Sequence, residues 1–397
     1  MKTRWHVLLV TFSMVAAAVL AAACCYQPEK VVSPVSNFAY VANEGSNDIS
    51  AYIVDNSSGG LTEVAASPFT GPAGPRQSVV ELLGKFLYVA NGGSNGVSGF
   101  SIDSTTGALG TVSGSPFAGG AGPRGIALYP SGKYLYTADR NGNSVSGYAV
   151  NTNTGVLTPL TGSPFLLGQS GEENYGPQQL TIDPSGRFLY VSNHLTGDIS
   201  GFTINGTTGA LTLISGSPFT DQPDDLGPNI QPFALAITPD GRYLYVTNHG
   251  EDTISVFSIN AMSGALTAVS GSPFDLFVDD EDCGSQPFGV AIGGSGRFLY
   301  VADNGCDAVS AFSIDPSTGL LTELPGSPYF VVAGDCFAGV NEATVDFTGR
   351  FLYVADQSCG AVTGFSIDTS SGGLTEMNGS PFPAGDTPYG VAISRIN

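Results

Sequence analysis

Phe298-Leu-Tyr-Val-Ala-Asp303 is one of seven copies of a single phrase in this chain. The others are Phe38-Ala-Tyr-Val-Ala-Asn43, Phe86-Leu-Tyr-Val-Ala-Asn91, Tyr134-Leu-Tyr-Thr-Ala-Asp139, Phe188-Leu-Tyr-Val-Ser-Asn193, Tyr243-Leu-Tyr-Val-Thr-Asn248 and Phe351-Leu-Tyr-Val-Ala-Asp356. Their middle tyrosines lie 48, 48, 54, 55, 55 and 53 residues apart. Self-similarity at such a period marks a repeat architecture. Each phrase is followed by an alternating segment such as Ile254-Ser-Val-Phe-Ser-Ile259, then a Gly-x-Leu segment, then Ser-Pro-Phe or Ser-Pro-Tyr. Before most phrases stands an apolar segment such as Gln231-Pro-Phe-Ala-Leu-Ala-Ile237, joined to it by a turn such as Pro239-Asp-Gly-Arg242. Short β-rich runs separated by turn residues predict four antiparallel strands per repeat. Four strands repeated seven times predict an all-β, seven-bladed β-propeller.

The chain ends support a closed ring. The first phrase has no inner strand ahead of it, and Pro388-Tyr-Gly-Val-Ala-Ile393 is an inner strand with no phrase behind it. The C-terminal strand is therefore expected to complete the first blade and to remove an open sheet edge. An open solenoid would instead need capping repeats.

Composition narrows the function. Of 397 residues, 13 are Lys or Arg and 34 Asp or Glu, for a formal net charge of −21. That balance argues against nucleic acid, whose phosphates are bound by Lys and Arg, and against electrostatic docking on anionic lipid. Lys2 and Arg4 precede an apolar run from Val7 to Ala23 that ends at Cys24-Cys25, the pattern of an export leader. The cleavage region resembles a bacterial lipobox, with Cys24 as the lipidated residue. Residues 1–24 are read as a signal peptide of lipoprotein type, 25–36 as a tether and 37–397 as the propeller. An exported protein in the periplasm or at the cell surface is expected, touching a membrane only through its N-terminal lipid. Removing the leader's two basic residues leaves the remainder at −23.

The Tyr-Val-Thr/Ala-Asn phrase, the Pro-x-Gly-Arg/Lys turn and the Gly-x-Leu segment resemble those of the lactonase-type seven-bladed propellers. That family includes bacterial 6-phosphogluconolactonases and fungal carboxymuconate-lactonising enzymes. The resemblance covers about residues 37 to 397 and rests on blade-building residues, so it speaks for the fold more than for an activity.

Strand order places the loops entering the inner strands, and those following the phrase, on one face. The Pro-x-Gly-Arg turns open on the other. Lys85, Lys133, Arg187, Arg242, Arg297 and Arg350 are expected to be solvated turn positions, and the Asn or Asp closing each phrase a turn cap. Four loops ahead of inner strands are lengthened, to between 11 and 13 residues against six elsewhere, and together they carry eleven acids and no base. Insertions in repeat proteins gather on the binding face. One sector of the loop-rich face should thus be strongly negative, either for solubility or to bind a cation or cationic partner. Asp279-Asp280-Glu281-Asp282 offers oxygen ligands suited to calcium, though without the spacing of a calcium loop. No cofactor is required by any of these features.

Against this acidity stand Arg76 and Arg124, each in a Gly-Pro-Arg at the start of an inner strand, and His194 and His249, each directly after a phrase. Lactone hydrolysis needs a base for water and donors for the carbonyl oxygen. The histidines could supply the base and the arginines an anion anchor. In the family's enzymes Gly-Pro-Arg is commonly followed by His, where this chain has Gln77 and Gly125. The reading placed first is therefore a binding or interaction module, monomeric, taking a small molecule or protein on its acidic loop-rich face. The alternative is a lactone hydrolase with its site at the channel mouth.

Cys283, Cys306, Cys336 and Cys359 remain after the leader cysteines. Cys283 and Cys336 precede the inner strands of blades 6 and 7, and Cys306 and Cys359 follow the phrases of the same blades, 23 residues on in both cases. Of the three possible connectivities, the repeat selects Cys283–Cys306 and Cys336–Cys359, which an oxidising compartment would allow.

Overall fold

The computed structural model of the chain describes residues 37–168, 174–221, 230–276, 284–331 and 339–394. The phrase strands are apolar on both faces because each lies inside a sheet with another blade on either side. Phe86–Asn91, Phe188–Asn193 and Phe351–Asp356 are buried at every position. Seven antiparallel sheets result, each ordered inner strand, phrase strand, third strand, outer strand. The outer position is split. A three-residue piece such as Leu321–Glu323 and a two-residue piece such as Tyr329–Phe330 both pair with the third strand. In two blades the second piece shrinks to a single bridge, Val97 to Phe117 and Ile199 to Phe219. The inner strands of successive blades contact one another around the whole ring.

Closure follows the expected route. Pro388–Ile393 pairs antiparallel with the phrase strand Asn37–Asn43, with Val41 opposite Val391. Just past that pairing, Phe38 and Ser394 exchange bonds: the Ser394 N–H donates to the Phe38 carbonyl, and the Phe38 N–H to the Ser394 hydroxyl.

The middle tyrosine of the phrase joins one blade to the next. Tyr88, fully buried, donates its hydroxyl to the Gly155 carbonyl at 3.0 Å, and Tyr190 to Gly264 at 2.7 Å. The same bond recurs at Tyr40, Tyr136, Tyr245, Tyr300 and Tyr353. A buried hydroxyl needs a partner, which explains Tyr rather than Phe here. The Gly-x-Leu glycines have positive φ, and a Cβ on Gly264 would fall 2.4 Å from the Phe188 ring. Only glycine fits that turn.

Two expectations are corrected. The Asn or Asp ending the phrase is buried, and in most blades it clamps its hairpin rather than capping a turn: Asn193 Nδ2 donates to Asp198 at 2.6 Å and Ser200 at 2.8 Å, whereas Asp356 keeps the expected cap, accepting from the Cys359 N–H at 3.2 Å. The turn arginines are not simply solvated. Arg350 stacks over the Phe351 ring and donates to the Asn56 and Ser57 carbonyls of blade 1, and Arg297 reaches the Ser370 carbonyl of blade 7.

Candidate functional site

Two residue positions per blade build the mouth of the channel. The first comes from a bulge in the inner strand. Pro75 pairs with Asn91 and Ser78 with Val89, which leaves Arg76 and Gln77 opposite the single residue Ala90. The same irregularity recurs in every blade, and such bulges re-aim side chains. Around the ring this position carries Tyr389, Arg76, Arg124, Gln178, Phe233, Phe288 and Asn341. The second position follows the phrase and carries Glu44, Gly92, Arg140, His194, His249, Asn304 and Gln357. Its backbone N–H is anchored to the carbonyl just ahead of the same blade's inner strand: Arg140 to Gly122, His194 to Gly176, His249 to Gln231. Gly74 and Gly122, the glycines of the Gly-Pro-Arg motifs, have φ of +58° and +62°, the left-handed region where glycine carries no penalty. Gly92 makes room, since a Cβ there would lie 2.9 Å from the Arg76 stem.

The structure brings all four of the sequence's candidates to this mouth and adds a third arginine, Arg140. Arg76 pairs with Glu44 and its guanidinium carbon lies 4.8 Å from the centre of the Tyr389 ring. Arg140 Nη1 donates to Gln178 Oε1 at 2.6 Å, and Gln178 Nε2 donates to the Tyr389 hydroxyl at 3.3 Å. Among the described residues neither Arg124 nor Arg140 has a carboxylate partner. Burial, then the neighbouring Arg76, hold the Arg124 guanidinium down to about 10. Burial likewise lowers Arg140.

The histidines form the other side. Their rings lie 6.5 Å apart, packed with Phe233 and Phe288; the His249 and Phe288 centroids are 5.0 Å apart, edge to face. Burial, then Arg140, His249 and Arg124, push His194 down to about 4, with the Pro232 carbonyl acting the other way. Burial lowers His249, against which Asp252 acts. Both rings are therefore neutral near pH 7. Each has a buried Nδ1 with no hydrogen-bond partner among the described residues.

Next to Arg76, Gln77 reaches over Gly390 of blade 1 to blade 7. Its amide donates to Glu342 Oε1 at 2.6 Å and its oxygen accepts from the Ile126 N–H. Burial raises the Glu342 carboxyl to about 7, which the Gln77 bond opposes.

The family model described as a seven-bladed β-propeller lactonase matches residues 29–118, 112–229 and 170–334. The chain belongs to the seven-bladed lactonase propeller family. Among curated relatives, the 6-phosphogluconolactonase of Bacillus subtilis is 30% identical over 166 residues, 41% of this chain and 45% of that protein. The 6-phosphogluconolactonase of Formosa agariphila is 31% identical over 152 residues, 38% of this chain and 39% of that protein. The chain thus spans less than half the length of the curated relatives it matches. Among solved structures, the periplasmic gluconolactonase of Pseudomonas aeruginosa superposes with a TM-score of 0.72 at 18% identity, covering 91% of this chain and all of that one. A protein from Lactobacillus plantarum gives 0.74 at 16%, covering 91% and 99%. Both likenesses concern the fold.

Several calls fall outside the described residues: Cys24, the acidic run Asp279, Asp280, Glu281 and Asp282, and Cys283 and Cys336. Among the described residues no group of three or more His, Cys, Asp or Glu could hold a metal ion. Cys306 and Cys359 lie in the loops after the phrases of blades 6 and 7. Arg140, Gln178 and Tyr389 were missed by the sequence reading. Arg140 was within reach, because it occupies the repeat position that carries His194 and His249.

Proposed function

We propose that the protein is a lactone hydrolase whose substrate carries an anionic group, acting at the mouth of the channel on the loop-rich face. One observation carries this. A chain of net charge −21 gathers Arg76, Arg124 and Arg140 within electrostatic reach of one another and leaves Arg124 and Arg140 without carboxylates among the described residues. Juxtaposed, half-buried guanidinium groups disfavour one another, and an anion placed between them restores the balance. Family membership and the 6-phosphogluconolactonase relatives point the same way.

The chemistry follows from the two sides of the mouth. The guanidinium groups hold the anionic substituent and donate to the carbonyl oxygen as charge develops on it. A neutral His194, beside Arg124 and Arg140, takes a proton from water as the water oxygen attacks the lactone carbon. The tetrahedral intermediate collapses with cleavage of the ring C–O bond. The ring oxygen takes the proton back from His194 as a hydroxyl, and the product is the hydroxy acid. His249 packs on Phe288 and borders this side of the site. Phe233 and Phe288 offer the substrate an apolar wall. The leader would place this reaction outside the cytoplasm.

The module reading relied on an acidic binding face, whereas the described mouth is cationic. A pH-stat assay of the purified protein on phosphorylated, carboxylated and neutral sugar lactones tests the proposal. Saturable turnover that favours the anionic lactones supports it. Rates equal to spontaneous hydrolysis on all three classes overturn it.

A further inference from the structure

A chain of contacts crosses the mouth of the ring. It runs from Glu44 to Arg76, from Arg76 to Tyr389, from Tyr389 to Gln178 and from Gln178 to Arg140. Tyr389 stands on the C-terminal strand of blade 1 and Gln178 on the inner strand of blade 4, so this link spans the channel rather than joining neighbours. The bond directions are dictated by chemistry. Arg140 can only donate, so Gln178 must present its oxygen to it, and its amide nitrogen must then donate to the phenol oxygen. Gln178 is fully buried and Tyr389 nearly so. The Tyr389 ring packs with Phe233 and Ala234, which fixes it independently of its hydroxyl. Arg124, on the inner strand of blade 3, the blade that also carries Arg140, lies within electrostatic reach of both Arg76 and Arg140 and has no hydrogen bond or ion pair among the described residues.

We propose that the Tyr389 hydroxyl is a positioning group: through Gln178 it fixes Arg140 beside Arg124 and Arg76, so that the three present a preformed site for one anionic group. This inference rests on the anionic-lactone reading for its substrate, but the site itself can be measured without turnover. It also assigns the closing strand a second role, because the residue that braces the site arrives only when the C-terminal strand completes blade 1. Preorganised donors bind without the cost of ordering them. Loss of the brace should therefore weaken anion binding first and foremost.

The test is inorganic phosphate binding by calorimetry to the full chain and to Tyr389→Phe and Gln178→Leu, followed by kinetics on an anionic and a neutral lactone. Each variant should weaken phosphate by about tenfold, the scale of a hydrogen bond that orders a charged group. The double variant should lose little more than either single one, because both cut the same link. In turnover, the loss should be larger for the anionic lactone than for the neutral one, with the difference between the two carried by KM. A general structural role for Tyr389 would not produce that split. Phosphate binding by Tyr389→Phe equal to the parent, losses that add in the double variant, or no phosphate binding by the parent would overturn the inference. Should Tyr389→Phe fail to fold, Gln178→Leu decides. Phosphate binding with the expected losses but no lactone turnover would sustain the brace and refute the hydrolase.

Discussion

The Tyr353 hydroxyl of the seventh blade donates to the Gly59 carbonyl of the first at 2.7 Å. It is the same bond that joins every other pair of neighbouring blades, here made across the closure of the ring. Tyr353→Phe leaves a buried carbonyl without its donor and should cost about 1–2 kcal/mol, read as a lower denaturation midpoint with an unchanged m-value. Tyr190→Phe, at an ordinary junction, should cost about the same. A closure variant much more costly than the internal one would show that the ring is held mainly at this joint.

Deleting residues 388–397 removes the inner strand of blade 1. The edge of Asn37–Asn43 would then be open for pairing with other chains. The truncated protein should elute from size exclusion as aggregate. A monomeric truncation that melts like the full chain would contradict the closure.

Buried carboxyls set a pH dependence of stability. Burial raises Asp139 to about 6 and Asp303 to about 7, against hydroxyl donors that pull both down. An acid whose folded value lies above its unfolded one favours the folded state while protonated. That contribution is present at low pH, is lost as pH rises from about 4 to the folded value, and is flat beyond it. Asp139→Asn and Asp303→Asn place the Asn of other blades at these sites and should flatten the decline in melting temperature between pH 4 and 7. An undiminished decline in the double variant would assign it elsewhere.

The proposed pairing Cys283–Cys306 and Cys336–Cys359 would bridge two loops within one blade in each case, each closing a span worth about 3 kcal/mol in the chain-entropy model. Non-reducing peptide maps of the exported protein should contain those two linked peptides. A Cys306–Cys336 peptide, or four free thiols, would refute the pairing.

The blades were legible because the phrase, the Gly-x-Leu turn and the Ser-Pro punctuation repeat with the structure and answer to backbone geometry that every blade shares. The orphan strand Pro388–Ile393 even told how the ring closes. The mouth was only half legible. Arg76 and Arg124 carry a local motif, and His194 and His249 are rare enough in this chain to be noticed. Gln178 and Tyr389 look like ordinary strand residues, and their role depends on which blades face each other across the channel. The charge of the mouth was missed for a related reason: the acids are counted along the chain, whereas three arginines from blades 2 and 3 converge in space.

His194 sets the acid limb of the reaction. A base must be neutral to accept a proton, so kcat/KM should fall as pH drops through about 4 and stay level from there to neutrality. A limb near the ordinary histidine value of about 6.5 would assign the base to another group.

The hydrolase account is tested most directly by kcat/KM on an anionic sugar lactone, measured for the parent, His194→Ala and Arg124→Ala under one condition near pH 7. The account predicts saturable turnover by the parent and a loss of about 10²–10⁴-fold in His194→Ala, carried by kcat. In Arg124→Ala it predicts a loss of about tenfold or more, carried mainly by KM. Turnover that survives both substitutions, or none by the parent above spontaneous hydrolysis, would contradict it.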